Sequence, residues 1–120
     1  MAPEKDDTVY LWDMLDAAKA VVGFVASRSY QEYEGDRMLR GAVERHIEII
    51  GEAARRVSLS FQAAHDEIPW RSIIGLRNVL AHDYGEIMDD KMWVLATRSI
   101  PELVKALEPL VPPQPPEELG

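Results

Sequence analysis

The segment DRMLRGAVERHIEIIGEAARRV, residues 36–57, has the clearest helical pattern in the chain. Its apolar side chains recur every three or four residues, which predicts an amphipathic helix with one buried stripe. The stripe consists of Leu39, Val43, Ile47, Ile50, Ala54 and Val57. Charged side chains, mostly arginine and glutamate, occupy the remaining faces. Gly41 and Gly51 are costly inside a helix, so we expect another helix to approach closely at both.

The sequence before this helix predicts one long helix and one short turn. A helix from about Val9 to Ala26 has apolar residues at helical spacing, with Thr8 as its N-cap. The Ser29-x-x-Glu32 pattern has the spacing of a capping box and predicts a short helical turn. Gly35-Asp36 then ends this turn.

The sequence after residue 57 predicts a turn and then a second long helix. One helical turn is expected around Phe61–Ala64, within an otherwise irregular stretch. Pro69 suits the first turn of a helix, and Gly85 suits its stop, so a helix is expected from about Pro69 to Tyr84. Gly75 lies inside it and predicts close packing, with Gly51 as the candidate neighbour.

The remaining sequence predicts two further helices and a tail. Asp89 or Asp90 can cap a helix. Ser99-Ile100-Pro101-Glu102 has the spacing of a capping box with proline in the first turn, so a last helix to about Glu108 is expected after a kink or break. No strand pattern of useful length is present. The chain is therefore predicted to be an all-α bundle of four to five helices. Its predicted parts are a flexible N-terminus at 1–8, a helical domain at 9–108 and a proline-rich disordered tail at 109–120.

Composition indicates one globular domain in a reducing compartment. The chain has 120 residues, of which 47% are hydrophobic and 28% charged. There is no cysteine, which excludes disulfides and thiolate chemistry. The polar segment Met1–Thr8 is not a signal peptide, and the apolar run Ala20–Ser27 is too short to span a bilayer. We expect a cytoplasmic protein without a membrane segment.

Charge is distributed unevenly along the chain. The net charge of −8 argues against non-specific nucleic-acid binding. Residues 37–82, however, carry 7 basic against 5 acidic side chains, a net of +2, whereas 1–36 and 83–120 each carry 3 against 8. All the basic residues of the middle region are arginines, which bind phosphate through paired donors. A solvated helix face with internal ion pairs would give the same pattern.

The stretch IIGLRNVLAHDYG, residues 73–85, concentrates polar groups on an apolar helix. Arg77 and Tyr84 are seven residues apart and return to nearly the same face, while Asn78 and His82 form a neighbouring stripe. Arg77 and His82 differ by about 140° around the axis, which a long arginine can span if both border one cleft. His82 lies in the last turn, where the helix dipole favours imidazolium. This placement suits a histidine that gains and loses a proton near neutral pH.

These residue types favour transesterification of RNA. The RNA 2′-hydroxyl is the nucleophile, so the protein needs no Ser or Cys and no metal. His82 would transfer the proton and Arg77 would stabilise charge on the phosphoryl oxygens, with Asn78 orienting His82 or holding a phosphate. Glu52 and Asp83 are candidate supporting residues. One histidine does not easily serve as both acid and base, so two copies meeting at a dimer interface would complete the site.

Two other interpretations of the stretch remain open. Asn78 and His82 could only close the helix end, with Arg77 paired to Glu52. Alternatively, the His82-Asp83 dipeptide could bind a metal in a phosphohydrolase, with His46 and Asp89 or Asp90 as further ligands. The metal interpretation is the weaker one, because His46 lies near the apolar stripe of its helix and no second helix offers a histidine at ligand spacing.

The motif Arg77-x4-His82-x-Tyr84 resembles the R-x4-H-x-Y motif of HepT-type toxins, which are helical ribonucleases of the HEPN superfamily. Three other features agree with the resemblance: AVER leading to EIIGEA at 42–53, the IPWR entry at 68–71, and Trp93 on the following helix. The resemblance covers about residues 9–108 and includes the motif and the helix 36–57 in the family's order.

The resemblance implies a HEPN-like bundle that forms a homodimer, with the Arg77–His82 pairs of the two copies facing each other. It implies metal-independent RNA cleavage without a cofactor. It also implies a partner, an MntA-type nucleotidyltransferase antitoxin that transfers AMP from ATP onto Tyr84. Two functions from other classes remain: a non-catalytic HEPN module that docks a nucleotidyltransferase, and a helical dimerisation domain whose polar cluster only closes a helix.

Overall fold

The structure is a computed structural model that describes residues 5–82 and 86–112. Every regular element in this part of the chain is helical, which confirms the predicted all-α class. The α-helices are α1 (Lys5–Val25), α2 (Tyr30–Gly35), α3 (Arg37–Arg56), α4 (Leu59–Ala64), α5 (Trp70–His82), α6 (Glu86–Val94) and α7 (Ile100–Leu107). A π-helical turn, Leu95–Ser99, joins α6 to α7, and a 3₁₀ turn, Glu108–Leu110, follows α7.

Helix α3 is the centre of the bundle. It packs against α1 on one side and α5 on the other, and α7 packs against α1. The six residues of the predicted stripe are all buried, which confirms that face of the helix. Burying such side chains stabilises the fold by about 1.5–3 kcal/mol each. The stripe therefore fixes the position of α5, the helix that carries the motif.

Side-chain caps begin α2 and α3, and the predicted capping box at Ser29 is confirmed. Ser29 Oγ accepts from the Glu32 amide at 3.1 Å, and the Ser29 amide donates to Glu32 Oε1 at 2.9 Å, which completes the capping box. Asp36 Oδ1 accepts from the Leu39 amide at 3.0 Å and caps α3. Each bond satisfies a helix-end group that has no partner within its own helix.

Two other predicted caps are wrong. Helix α1 begins at Lys5, so Thr8 lies inside it. Helix α6 begins at Glu86, so Asp89 and Asp90 also lie inside their helix. Both predictions assumed that a capping residue type marks a helix start, although acidic and hydroxyl residues are also found in first turns.

The predicted kink before the last helix takes the form of the π-helical turn. Ser99 has helical dihedral angles and makes no side-chain cap bond, so the predicted cap there is wrong. The Ile100 amide donates to the Leu95 carbonyl, an i to i−5 bond. Pro101 has no amide proton to continue the normal ladder, and the wider turn directly before it accommodates this loss.

The predicted close packing at two glycines is also wrong. A Cβ placed on Gly41 or Gly75 would meet no atom of the described residues within 4 Å beyond its own helix and immediate neighbours. Gly51 is buried within α3. Core contacts between α3 and α5 come from apolar side chains, so a helix-propensity cost of about 1 kcal/mol at Gly41 and Gly75 has no compensating contact in this part of the protomer.

The ends of the chain are only partly described. Residues 1–4 and 113–120, which include most of the predicted tail, lie outside the described residues. No described helix has the length and apolar character needed to cross a bilayer.

Candidate active site

The Arg77-x4-His82 part of the motif lies on one continuous helix, α5, and the first half of that helix is firmly anchored. Trp70 and Ile73 of α5 are buried in the core. Trp70 Nε1 donates to the His65 carbonyl at 2.9 Å. The Ile73 amide donates to the Pro69 carbonyl at 3.0 Å, so the helix starts as the sequence predicts.

The second half of α5 carries the predicted catalytic residues. Arg77, Asn78 and His82 all lie on the helix, and the rise of 1.5 Å per residue separates Arg77 from His82 by about 7.5 Å along the axis. The side chains of these three residues lie outside the described part, as do Asp83 and Tyr84 entirely. Their predicted contacts and roles stay predictions.

Glu52 lies on α3, the helix that packs along α5, and it belongs to a small charge cluster. Its Oε1 accepts from Arg55 Nη2 at 2.7 Å and from Arg56 Nε at 3.3 Å. One turn earlier, Arg45 Nη1 donates to Glu48 Oε1 at 2.6 Å. Three of the arginines in the basic region are therefore exposed on α3 but matched with glutamates, as the alternative explanation of the charge pattern expects. The predicted supporting role of Glu52 stays a prediction.

A groove of about 380 Å³ runs between α1 and α3 beside this cluster. Hydrogen bonds from the guanidinium to Tyr10 and to Glu52 raise the pKa of Arg56, and the bond to Tyr10 has the larger effect. Burial, with a smaller contribution from Asp16, raises the pKa of the Asp13 carboxyl. The charged residues that line the groove are Asp13, Arg45, Glu48, Glu52 and Arg56. With three acids and two bases, this groove is not by itself an anion site.

Two described candidate ligands of the metal interpretation make other contacts. His46 Nδ1 lies 2.8 Å from the Ala42 carbonyl, and the ring meets Phe24 edge-on at 5.0 Å between centroids. Asp89 pairs with Arg40 at 3.8 Å. Within the described ranges, no three histidine or carboxylate side chains come together in a metal-binding arrangement. The side chain of His82 and the whole of Asp83 lie outside those ranges, so this result does not include them.

A polar and aromatic junction joins α6 to α2 and α3. The ring of Trp93 lies 5.4 Å from that of Tyr33 and 6.1 Å from that of Tyr30. Arg40 of α3 donates to the Glu34 carbonyl of α2 and pairs with Asp89 of α6. Sequence reasoning missed this junction because Arg40 and Asp89 are 49 residues apart and no local spacing connects them.

Partial burial affects the titration of the junction. Burial, together with the carboxylates of Glu44 and Asp89, raises the pKa of the Tyr33 hydroxyl. Burial is also the main cause that raises the pKa of Glu44; the Asp89 charge adds to it and the Arg40 charge opposes it. Two carboxylates thus share one guanidinium in a half-buried position, where charge interactions are stronger than at the surface.

Comparison with known proteins places the chain in a family. The sequence model of the family "Ribonuclease HepT-like" matches residues 14–110. "Putative RNase MJ1380" of Methanocaldococcus jannaschii is 34% identical over 88% of this chain and 96% of its own length. "Probable ribonuclease HepT" of Thermococcus cleftensis is 32% identical over 84% of this chain and 92% of its own length. No solved structure matches the chain.

Proposed function

Because the chain belongs to the HepT-like ribonuclease family, we propose that it is a metal-independent endoribonuclease with Arg77 and His82 as catalytic residues. The observation that carries the proposal is the motif's position. Arg77 and His82 lie on one uninterrupted helix, within the residues that match the family. The first turn of that helix is fixed in the core by Trp70 and Ile73.

The proposed reaction uses the RNA as its own nucleophile. The 2′-oxygen forms a bond to the adjacent phosphorus, the bond from phosphorus to the 5′-oxygen breaks, and a 2′,3′-cyclic phosphate results. A histidine takes the proton of the 2′-hydroxyl, and an acid returns a proton to the leaving 5′-oxygen. Arg77 stabilises the charge that develops on the non-bridging oxygens. Asn78 orients His82 or holds a phosphate.

The two proton transfers favour a site built from two copies of the chain. Each chain contributes one His82, and a homodimer supplies one imidazole as base and the other as imidazolium acid. Arg45, Arg55 and Arg56 are exposed on α3, and two of them line the groove between α1 and α3; they are candidates for guiding RNA phosphates towards the cleft. Their glutamate partners would have to be displaced, which predicts RNA binding that weakens steeply as salt increases.

The proposal includes a cellular role as the toxin of a toxin–antitoxin pair in the cytoplasm. A nucleotidyltransferase antitoxin would transfer AMP to Tyr84. The tyrosine oxygen attacks the α-phosphorus of ATP, pyrophosphate leaves, and the phenolic proton is released. Tyr84 is two residues beyond the end of α5. Each adduct adds bulk and negative charge close to the motif, where an RNA phosphate would bind.

Catalysis is tested by RNA cleavage in excess chelator, with the full chain and a labelled RNA. Wild type should cleave, and His82→Ala should lose at least about a hundredfold in rate, the typical contribution of a general acid or base. His65→Gln is the matched control, because His65 stacks on Phe61 at 4.3 Å, far along the chain from the motif, and should retain the activity. Equal rates for wild type and His82→Ala would overturn the proposal.

The modification is tested by intact mass after incubation with ATP and the nucleotidyltransferase. The mass should increase by whole AMP units, and Tyr84→Phe should prevent the increase. Tyr30→Phe serves as the control, because Tyr30 is half-buried against Trp93. An unchanged increase in Tyr84→Phe would place the acceptor elsewhere.

A second candidate function is a non-catalytic module that docks a nucleotidyltransferase. The acidic net charge of −8 favours it, because RNA binding normally requires a basic surface. A stable complex with the nucleotidyltransferase, together with no cleavage at any protein concentration, would establish this alternative.

A further inference from the structure

Helix α6 follows the motif helix after a short connection. Helix α5 ends at His82 and α6 begins at Glu86, so only residues 83–85 join them. The four Cα-to-Cα steps from His82 to Glu86 span at most about 13–14 Å when fully extended. A displacement of α6 larger than this reach allows must therefore also move the last turn of α5.

Aromatic and polar contacts hold α6 at two places. Near its end, the Trp93 ring packs against the rings of Tyr30 and Tyr33. In its middle, Asp89, the fourth of its nine residues, pairs with Arg40 of α3 at 3.8 Å. The guanidinium and carboxylate side chains are 27% and 19% exposed, so solvent screens the pair less than a surface pair. Arg40 is itself fixed by its bond to the Glu34 carbonyl.

We propose that Arg40 and Asp89 are positioning residues, whose ion pair fixes α6 on α3 and thereby sets the geometry of the Arg77–His82 end of α5. The proposal rests on the proposed ribonuclease function for its catalytic consequence. Neither residue touches the reacting atoms in this account. Arg40 connects three elements, because it belongs to α3, bonds α2 and pairs with α6.

The ion pair between Lys19 and Glu108 provides a control. It also joins two elements, α1 and the turn after α7, with a nitrogen-to-oxygen distance of 3.7 Å, and each of its side chains is 55% exposed. Both partners lie outside α5 and α6. Lys19→Gln therefore removes an ion pair between elements without affecting the motif helix or α6.

The experiment measures kcat and KM of the full chain on a labelled RNA for Arg40→Gln, Asp89→Asn, the double variant and Lys19→Gln. We expect each single variant to lower kcat by about 10- to 100-fold, because small misplacements of catalytic groups have effects of this size. KM should change by less than about threefold, since the RNA-binding groups are retained. The double variant should be no worse than either single variant, because the two residues act as one unit. Lys19→Gln should retain kcat.

Thermal melting separates positioning from unfolding. Arg40→Lys retains the charge and should recover most of the lost kcat. The proposal is overturned if the single variants retain kcat, if their losses multiply in the double variant, or if Lys19→Gln loses as much. It is also overturned if kcat falls only in proportion to the folded fraction.

A second measurement does not depend on ribonuclease activity. With 3-fluorotyrosine at position 84, Arg40→Gln and Asp89→Asn should shift the fluorine resonance, and Lys19→Gln should not. If the wild type cleaves no RNA, the proposed function fails. The fluorine resonance alone then tests whether Arg40 and Asp89 position the end of α5. An unchanged resonance in Arg40→Gln and Asp89→Asn would then overturn it.

Discussion

The two halves of α5 differ in how deeply their apolar side chains are buried. Trp70 and Ile73, in the first half, are buried and belong to the same core as the α3 stripe. Leu76 and Leu80, which accompany the motif in the second half, are only partly buried. Among the described side chains of α5, deep burial is therefore concentrated in the first half, and the polar residues of the proposed site follow in the second half. Such sites commonly combine functional groups with lower local stability.

Trp70→Ala should have the largest effect on the anchored half. Truncating a buried tryptophan costs about 3–5 kcal/mol of unfolding free energy, through lost burial and the cavity left behind. Urea denaturation measures the loss. Leu59→Ala is the control, because Leu59 is 81% exposed and should change stability by less than about 0.5 kcal/mol. A loss of similar size in both variants would contradict the difference between core and surface.

Asp7→Ala should be the next largest effect, and it should leave the motif intact. Asp7 is 4% exposed. Its carboxylate accepts from the Ser58 amide at 2.8 Å and from Ser58 Oγ at 2.7 Å, which joins α1 to the cap of α4. We expect a loss of about 1–3 kcal/mol, because a buried donor loses its partner. Asp16→Ala, at an exposed position on the same helix, should have little effect on stability.

RNA cleavage by Asp7→Ala tests whether stability and activity depend on different parts of the chain. At a temperature where both proteins are fully folded, kcat should equal that of wild type. A selective loss of kcat in Asp7→Ala would show that stability and function are not separated along the chain.

Contacts between residues close in the sequence were predictable, whereas contacts between residues far apart in the sequence were not. The α3 stripe and the Ser29 capping box depend on residues three or four apart, so spacing alone reveals them. The Asp7–Ser58 and Arg40–Asp89 contacts join residues 51 and 49 positions apart, and no spacing rule connects them.

The wrong predictions at glycines have a related cause. The helix-propensity cost of a glycine is evident from its own position in the sequence. A helix that packs closely enough to compensate for this cost comes from a distant part of the chain, and local spacing does not predict it. The candidate site divides in the same way. Its residue types and their order on α5 are evident from the sequence, but side-chain contacts between two copies depend on an assembly that spacing does not specify.

Glu44→Gln should have the smallest effect, with a sign that depends on pH. Burial raises the pKa of the folded-state carboxyl above the ordinary value of 4.5, so the folded protein binds the proton more tightly than the unfolded chain. Wild-type stability therefore falls as pH rises through the raised pKa. The neutral glutamine should stabilise the protein at pH 7 by at most about 0.5 kcal/mol, because solvent screens a half-exposed group.

Urea denaturation at two pH values tests this sign. The advantage of Glu44→Gln should disappear below pH 4.5, where the carboxyl is protonated in both states. Asp89 and Arg40 are the charged groups that affect Glu44, and both remain in the variant. A variant that is less stable than wild type at pH 7 would show that the carboxylate is stabilising in the fold.

The end groups of the cleaved RNA test most directly whether cleavage proceeds through attack by the RNA 2′-hydroxyl. The full chain is incubated in excess chelator with an RNA of known sequence, and the product ends are identified by mass spectrometry. Attack by the 2′-hydroxyl predicts a 2′,3′-cyclic phosphate and a 5′-hydroxyl, with neither formed by His82→Ala. Products with a 3′-hydroxyl and a 5′-phosphate, or cleavage of RNA whose 2′-hydroxyls are methylated, would contradict the account.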